Sequence, residues 1–589
     1  MPIASHRIRR FVSGPTLGLT ALLLARAAQG AWGLDPVQVH ATTASCPAVA
    51  VCDDAHYGAI VVWQENTATG GLLEAHHLLA NGDLDPTWSA PAVLSTMDIA
   101  RTALGAVSDR AGGAYVWWME NAQLFLTRVS PAGAVDAAWP ARGRSLGTLA
   151  TPNLRPRAAA DGAGGIYVAW LGGVFADAAP RVVHLGPANT GAGGWPNGVK
   201  VLGTTPGVFE SVNSFAIDAA PDGGLWLALA TTDLSTFEPA TGEVRLARYT
   251  SAGLPASGWD ARGVVLAAFR GDLLTNSGEW GPTPKMGLVA VANDGGSAAF
   301  VMRSVVAGDG AGMIQLPEFR LVRVLGDGAI APGWAPEGLF VGGLDLYGWS
   351  DLGWFGSLRA LPDGRGGVFE GVPVYATEGY SAIEFTRRSG SGGVEPGGIT
   401  TDQYGLEIAS RGDGGMFAAT FFPSGPYGPY SPIAHITATQ SVPGGYFTEW
   451  HDQPVLDWYG DVGLAATGDG GAIFAWSQVR ERLGVYAIRL GPAGAVTGVP
   501  PTPVTGPPTL RVRFVRGEGV HAVASFSGSP RLALSLHDLA GRRVAASSSD
   551  ATLGADVVLP GTRDLAGGVY FMRASDGTRT LNARVIVLP

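Results

Sequence analysis

Hydrophobic positions along this chain fall in short runs, each opened by an acidic, glycine-rich turn. The copies are DRAGGAYVWW from Asp109, DGAGGIYVAW from Asp161, DGGLWLAL from Asp222, DGGSAAFVM from Asp294, DGRGGVFEG from Asp363, DGGMFAAT from Asp413 and DGGAIFAW from Asp469, with a weaker YGAIVVW ending at Trp63. In Ile166 to Trp170 the run is apolar on both strand faces, which predicts a strand buried between two layers. The Asp can accept hydrogen bonds from the turn backbone, and the glycines permit positive φ and close approach of the next strand. Most copies recur at about 50 to 60 residues, the length of four short antiparallel strands and their turns, which is one propeller blade. Glycine inside every unit and the β-branched and aromatic content exclude a helical solenoid of similar period. GGYFTEW at 444–450 mimics the repeat at half the interval, so the expected fold is all-β, a seven- or eight-bladed β-propeller.

A second pattern follows each run. Segments such as Leu124 to Val129, Val244 to Tyr249 and Phe319 to Val324 lead into a glycine turn and then a tryptophan: Trp88, Trp139, Trp195, Trp259 or Trp334. Large flat side chains at such spacing predict fillers of the wedges between blades.

Composition adds the compartment. The 589 residues carry 87 Gly, 40 Pro and 17 Trp with 15% charged residues and a net charge of −10, while 46% are hydrophobic; this describes a turn-rich folded chain, not a disordered one. Mild acidity without a basic patch argues against a nucleic-acid partner. Residues 1–32 combine MPIASHRIRR, an apolar run from Phe11 to Leu24 and a boundary of small residues, the three parts of a secretory signal peptide; an uncleaved anchor is the alternative. No later run predicts a transmembrane segment in the mature chain. Cys46 and Cys52 are the two cysteines, and in an exported protein so close a pair predicts a local disulfide rather than a metal site, although His40 and His56 flank it.

The propeller pattern occupies 33–497 and stops at a Pro/Gly-rich linker, GVPPTPVTGPP at 498–508. From 509 to 589, segments Arg511 to Val515, Val520 to Phe526, Leu532 to Leu536, Arg543 to Ala546, Asp556 to Leu559, Gly568 to Ala574 and Asn582 to Val587 predict a small antiparallel β-sandwich. LALSLHDLAGRRVAA and LPGTRDLAGGVYFMRASDG, through Asp538, Leu539, Gly541, Arg542 and Val544 and through Leu565, Gly568, Val569, Tyr570 and Phe571, resemble the immunoglobulin-like C-terminal sorting domain of type IX secretion cargo and the related domain of flagellar hook-capping proteins. Pro507, Pro508 and Thr509 stand where that family has an Asn-Pro-Phe-like opening. The resemblance implies a module that delivers an exported protein to the cell surface through secretion machinery, or a plain accessory domain.

The chain offers no nucleophile elbow, zinc-binding His-Glu pattern, dinucleotide loop or Walker loop, and no cofactor is expected. Each repeat copy offers one dependable carboxylate, too few for a calcium cage; Asp83 and Asp85 in NGDLDPTW, or Asp109, are the oxygen donors that an isolated calcium site would use. Glu65 and Glu120 sit at equivalent positions after Trp63 and Trp118, and Glu449, Asp452, Asp345 and Asp351 lie near aromatics, as glycoside chemistry would need in pairs. The binding candidates are Tyr347, Trp349, Trp354, Tyr427, Tyr430, Trp450, Trp458 and Tyr459, aromatics crowded into turn-rich insertions that can stack on sugar rings or anchor a protein. The expected function is that of an exported binding or structural propeller at the cell surface or in the medium, with a cell-surface protein or glycan as ligand; a secreted polysaccharide hydrolase or lyase is the alternative.

Overall fold

A computed structural model describes residues 37–587 except 99–102, 151–154, 174–177, 204–209, 234–239, 272–288, 308–315, 344–357, 376–380, 403–406, 413, 420–432, 437–461, 479–482, 491–508, 516–518, 526–530, 551–555, 564 and 576–579. The repeated apolar runs are the second strands of eight antiparallel sheets. Blade one is Ala48–Asp53, Ala59–Thr67, Gly70–Leu78 and Ala92–Met97, hydrogen-bonded in that order. Blades two to six open at Leu104–Ser108, Arg157–Ala160, Glu210–Ala219, Val289–Asn293 and Arg359–Pro362, each with four strands in sequence order. Blade seven shows three strands among the described residues, Glu407–Ser410, Met416–Ala419 and Ile433–Ile436. Blade eight takes Val462–Ala466, Ala472–Gln478 and Gly484–Leu490 from the end of the repeat and its outer strand, Val37–Ala41, from the beginning.

That exchange closes the ring. The first strands of successive blades touch all the way round, with Val462–Ala466 packed on Ala48–Asp53. The blade number is therefore eight, and GGYFTEW, after Ile436 and before Val462 in the chain, lies outside the described residues. Among the described residues the propeller has no single central core. Its apolar residues form separate clusters between neighbouring blades, from Ala50, Cys52, Ile60 and Val116 between one and two to Val39, Val61, Ile473 and Ala487 between eight and one. Each blade is covered on both faces, which is why Ile166 to Trp170 has no polar face.

The predicted disulfide does not form. Cys46 and Cys52 are both free and buried. Cys52 follows the period-two alternation of its strand into the cluster facing blade two, whereas Cys46, before Pro47 and outside that strand, packs into the cluster facing blade eight. The first blade stands between the two thiols.

Beyond the propeller, Thr509–Val515, Gly519–Ser525 and Asp556–Val558 form one sheet and Arg543–Asp550, Arg531–His537, Gly568–Ser575 and Thr580–Val587 a second. Val520 and Ala522 of the first share a core with Leu534, Leu536, Met572 and Val585 of the second, so the predicted strands make a sandwich. Among the described residues no helix is long and apolar enough to cross a membrane.

Candidate functional site

The two ends of the ring are built differently. Between first and second strands the connection has the same length in every blade, 54–58, 109–113, 161–165, 220–224, 294–298, 363–367, 411–415 and 467–471. At the opposite end, connections range from 68–69 and 121–122 to 272–288 and 344–358.

The constant end is constant because its polar groups hold one another. Asp109 Oδ1 accepts from the N–H groups of Ala111 at 2.7 Å and Gly113 at 2.8 Å, while its Oδ2 faces the Arg128 guanidinium at 2.5 Å. A Cβ on Gly113 would lie 2.5 Å from both Asp109 Oδ2 and the Val129 carbonyl, so the turn has room only for glycine there. The same pairing recurs as Asp54–His77, Asp161–His184, Asp222–Arg248, Asp294–Arg323, Asp363–Arg387 and Asp469–Arg489. The base always stands on the third strand opposite the second residue of the apolar run: Tyr115 with Arg128, Tyr167 with His184, Trp226 with Arg248, Phe300 with Arg323. There it stacks as well, His184 on Tyr167 at 3.9 Å and Arg248 over Trp226 at 5.1 Å. In blade seven the backbone register sets His435 opposite Phe417, the same position. Sequence reasoning found the acids and missed the bases; the missed signal was a His or Arg one residue before the end of each third strand.

Burial raises Asp161, but the hydrogen bonds from His184, Ala163 and Gly165 outweigh it and hold its carboxyl below the ordinary value. Burial likewise lowers His77, and the carboxylates of Asp54 and Asp85, each 2.8 Å from a ring nitrogen, overcome that and raise it. Asp85 and Asp109 are thus engaged with side chains of the protein and do not converge on a calcium cage; Asp83 accepts from Asn81.

The wedge tryptophans sit where predicted. Trp88, Trp139, Trp259 and Trp334 are buried and donate their indole N–H to the next blade's turn, at Pro131, Pro187, Gly326 and Gly390 carbonyls. Trp195 donates within its own turn, to Gly198.

The eight aromatic binding candidates, Tyr347, Trp349, Trp354, Tyr427, Tyr430, Trp450, Trp458 and Tyr459, lie outside the described residues, as do Asp345, Asp351, Glu449 and Asp452. Glu65 and Glu120 are described, and they differ. Glu120 accepts the Trp118 indole N–H at 2.8 Å and has the Arg142 guanidinium at 3.5 Å. Glu65 lies in the seam between blades eight and one, facing His40 Nε2 at 2.6 Å and accepting from Thr42 Oγ1 at 2.7 Å. Glu74 joins them, with Oε2 at 3.9 Å from the same ring nitrogen and 3.2 Å from the Trp63 indole nitrogen that donates to it. A register irregularity between Gln38 and His40, one residue long, re-aims the outer strand so that Val39 faces the wedge core and His40 reaches the acids. Burial, and then the neighbouring Glu65, raise the Glu74 carboxyl against the lowering effect of His40. Burial first, then the charges of Glu65 and Glu74, push the Cys46 thiol up to about 12, which keeps it an unreactive thiol.

No family model matches the chain, and no curated protein matches it. Solved structures similar to it include the polysaccharide lyase Uly1, 7% identical over 76% of this chain and 90% of that one with a TM-score of 0.35. Drosophila Semaphorin 2a is 9% identical over 94% and 97%, with a TM-score of 0.30. A protein of unknown function from Dyadobacter fermentans DSM 18053 is 9% identical over 63% and 99%, with a TM-score of 0.23. At such scores, what those proteins act on says nothing about this chain.

Proposed function

We propose that the protein is an exported, non-catalytic binding propeller that recognises a cell-surface glycan or protein through loops at the variable end of its ring. One observation carries this reading: the eight turns between first and second strands have identical length and seven of them show an acid paired with a third-strand base, against connections of widely unequal length at the opposite end. Length variation on a rigid frame is where recognition is built. The segments 344–357 and 420–432, which hold Tyr347, Trp349, Trp354, Tyr427 and Tyr430, are both connections of that end. Export rests on the basic and apolar start of the chain, and surface delivery on the terminal module, whose Asp538 turn accepts hydrogen bonds from Ala540 at 2.9 Å and Arg542 at 3.0 Å.

The test is binding of the full mature chain to immobilised envelope polysaccharides and surface-protein fractions. Trp349→Ala with Trp354→Ala is expected to weaken binding at least about tenfold with the melting temperature unchanged, since buried aromatic anchors dominate recognition. Undiminished binding by this variant, or shortening of a polysaccharide by the wild type, overturns the reading. Removal of 509–589 is expected to trap the protein in the periplasm, and normal delivery without it removes the sorting role.

A further inference from the structure

We propose that His40, Glu65 and Glu74, in the seam where the N-terminal strand meets blade one, bind one divalent transition-metal ion of the zinc class, and that the ion fixes that strand against blade one. The candidate ligand atoms of the three residues all lie within 4.8 Å of one another. Zinc bonds to imidazole and carboxylate of about 2.0 Å put ligand atoms about 3.3 Å apart on a tetrahedron. The separations of 2.6 Å and 3.9 Å from His40 Nε2 straddle that distance, so small side-chain adjustments suffice. One imidazole with two carboxylates is a donor set for zinc and its neighbours rather than for calcium or magnesium.

Charge points the same way. Among the described residues neither carboxylate meets a lysine or arginine. The equivalent acid of blade two, Glu120, has the Arg142 guanidinium as its countercharge; in blade one that place is taken by an imidazole and a second acid. The outer contacts also hold the donors in orientation, as ligand sets require. Thr42 donates to Glu65 Oε1, Trp63 donates to Glu74 Oε2, and the Trp63 ring stacks against His40 with centroids 4.9 Å apart. The side chains of His40, Glu65 and Glu74 keep 16%, 20% and 10% exposure, which leaves a path for an ion and a fourth position for water. His77 and His184 offer no such opening, since partners occupy both nitrogens of each ring.

His40 belongs to the outer strand of blade eight, and Glu65 and Glu74 to the second and third strands of blade one. An ion held by all three fixes the outer strand of blade eight against blade one, so that this strand is presented in register to Gly484–Leu490, the strand with which it closes the ring.

The experiment strips the full mature chain with EDTA and titrates it with zinc chloride by calorimetry, thermal denaturation and, with cobalt(II) as probe, visible absorption. One equivalent is expected to bind, raising the melting temperature, and affinity is expected to fall with pH because the ligands must shed protons. Glu74→Gln is expected to weaken zinc binding at least about tenfold and His40→Gln to abolish it, while His56→Gln binds as the wild type. Near-ultraviolet circular dichroism of the metal-free variants separates a lost site from a lost fold. Identical melting of stripped and zinc-loaded protein, or equal binding by folded Glu74→Gln and His40→Gln, overturns the proposal and leaves only adventitious binding to other histidines.

Discussion

Asp109 retains no idle oxygen: one carboxylate atom closes its own turn and the other meets Arg128 on the third strand, with 1% of the residue exposed. Asp109→Ala therefore leaves the buried turn N–H groups of Ala111 and Gly113 without their acceptor and Arg128 with Asp136 alone as its countercharge, and the expected loss is about 2–3 kcal/mol in denaturant unfolding. The Asp222 side chain makes the same pair with Arg248 but is 60% exposed, so Asp222→Ala is expected to cost under about 1 kcal/mol. Equal losses at the two positions refute the account by burial. His77 makes its blade sensitive to pH, because its folded pKa lies above the ordinary histidine value. Its stabilisation is complete below the unfolded pKa of about 6.5 and is lost as pH rises through the raised folded value. Replacing His77 with Gln is expected to flatten that slope in a series of melts; an unchanged slope assigns it to another group.

At the scale of the element, each blade unit extends past its own sheet. The indole of Trp139 leaves the outer turn of blade two and donates to Pro187 in blade three, while Tyr115 donates to Gly164 of the same neighbour at 2.7 Å. Third-strand bases do likewise, as His184 reaches the Ser251 carbonyl and Arg323 that of Gly390. Blades are thus joined by directed hydrogen bonds as well as by apolar wedges. Trp139→Phe keeps most of the apolar contact and removes the donor, and should cost about 1–2 kcal/mol. Trp139→Ala opens a cavity as well and should cost about 3–5 kcal/mol, both read from the denaturation midpoint. Wedge filling by these tryptophans was legible from spacing, because a side chain that recurs once per unit must serve the unit boundary. Their partners were not, since a carbonyl about 50 residues away carries no side-chain label.

For the molecule as a whole, closure depends on five residues. Val37–Ala41 pairs with Gly484–Leu490, and Arg489 reaches the Tyr57 carbonyl at 2.7 Å and the Ala80 carbonyl at 3.2 Å across the same seam. A chain beginning after residue 42 lacks the outer strand of blade eight. It is expected to unfold in more than one step and to be cleaved first in blade eight under limited proteolysis, whereas the full mature chain resists; cleavage distributed evenly round the ring contradicts this. Separate wedge cores make such local opening possible, because each cluster involves two blades only.

By itself the sequence determined the all-β class, the repeating blade, the wedge tryptophans and the strands of the terminal sandwich, because each depends on local periodicity and turn chemistry. Tertiary structure decided what depends on residues distant in the chain. It set the number of blades at eight by pairing Val37–Ala41 with Gly484–Leu490. It separated Cys46 from Cys52, because strand alternation and one intervening proline send them to opposite faces of a blade. It converted the recurring Asp from a turn former into half of an ion pair whose base stands 19 residues away in blade two, at Arg128, and 29 away in blade five, at Arg323, a variation that hides the pairing from any fixed motif. It brought His40 to Glu65 and Glu74 because the outer strand crosses into blade eight and a one-residue irregularity between Gln38 and His40 re-aims it, neither of which a local pattern of polar and apolar residues records.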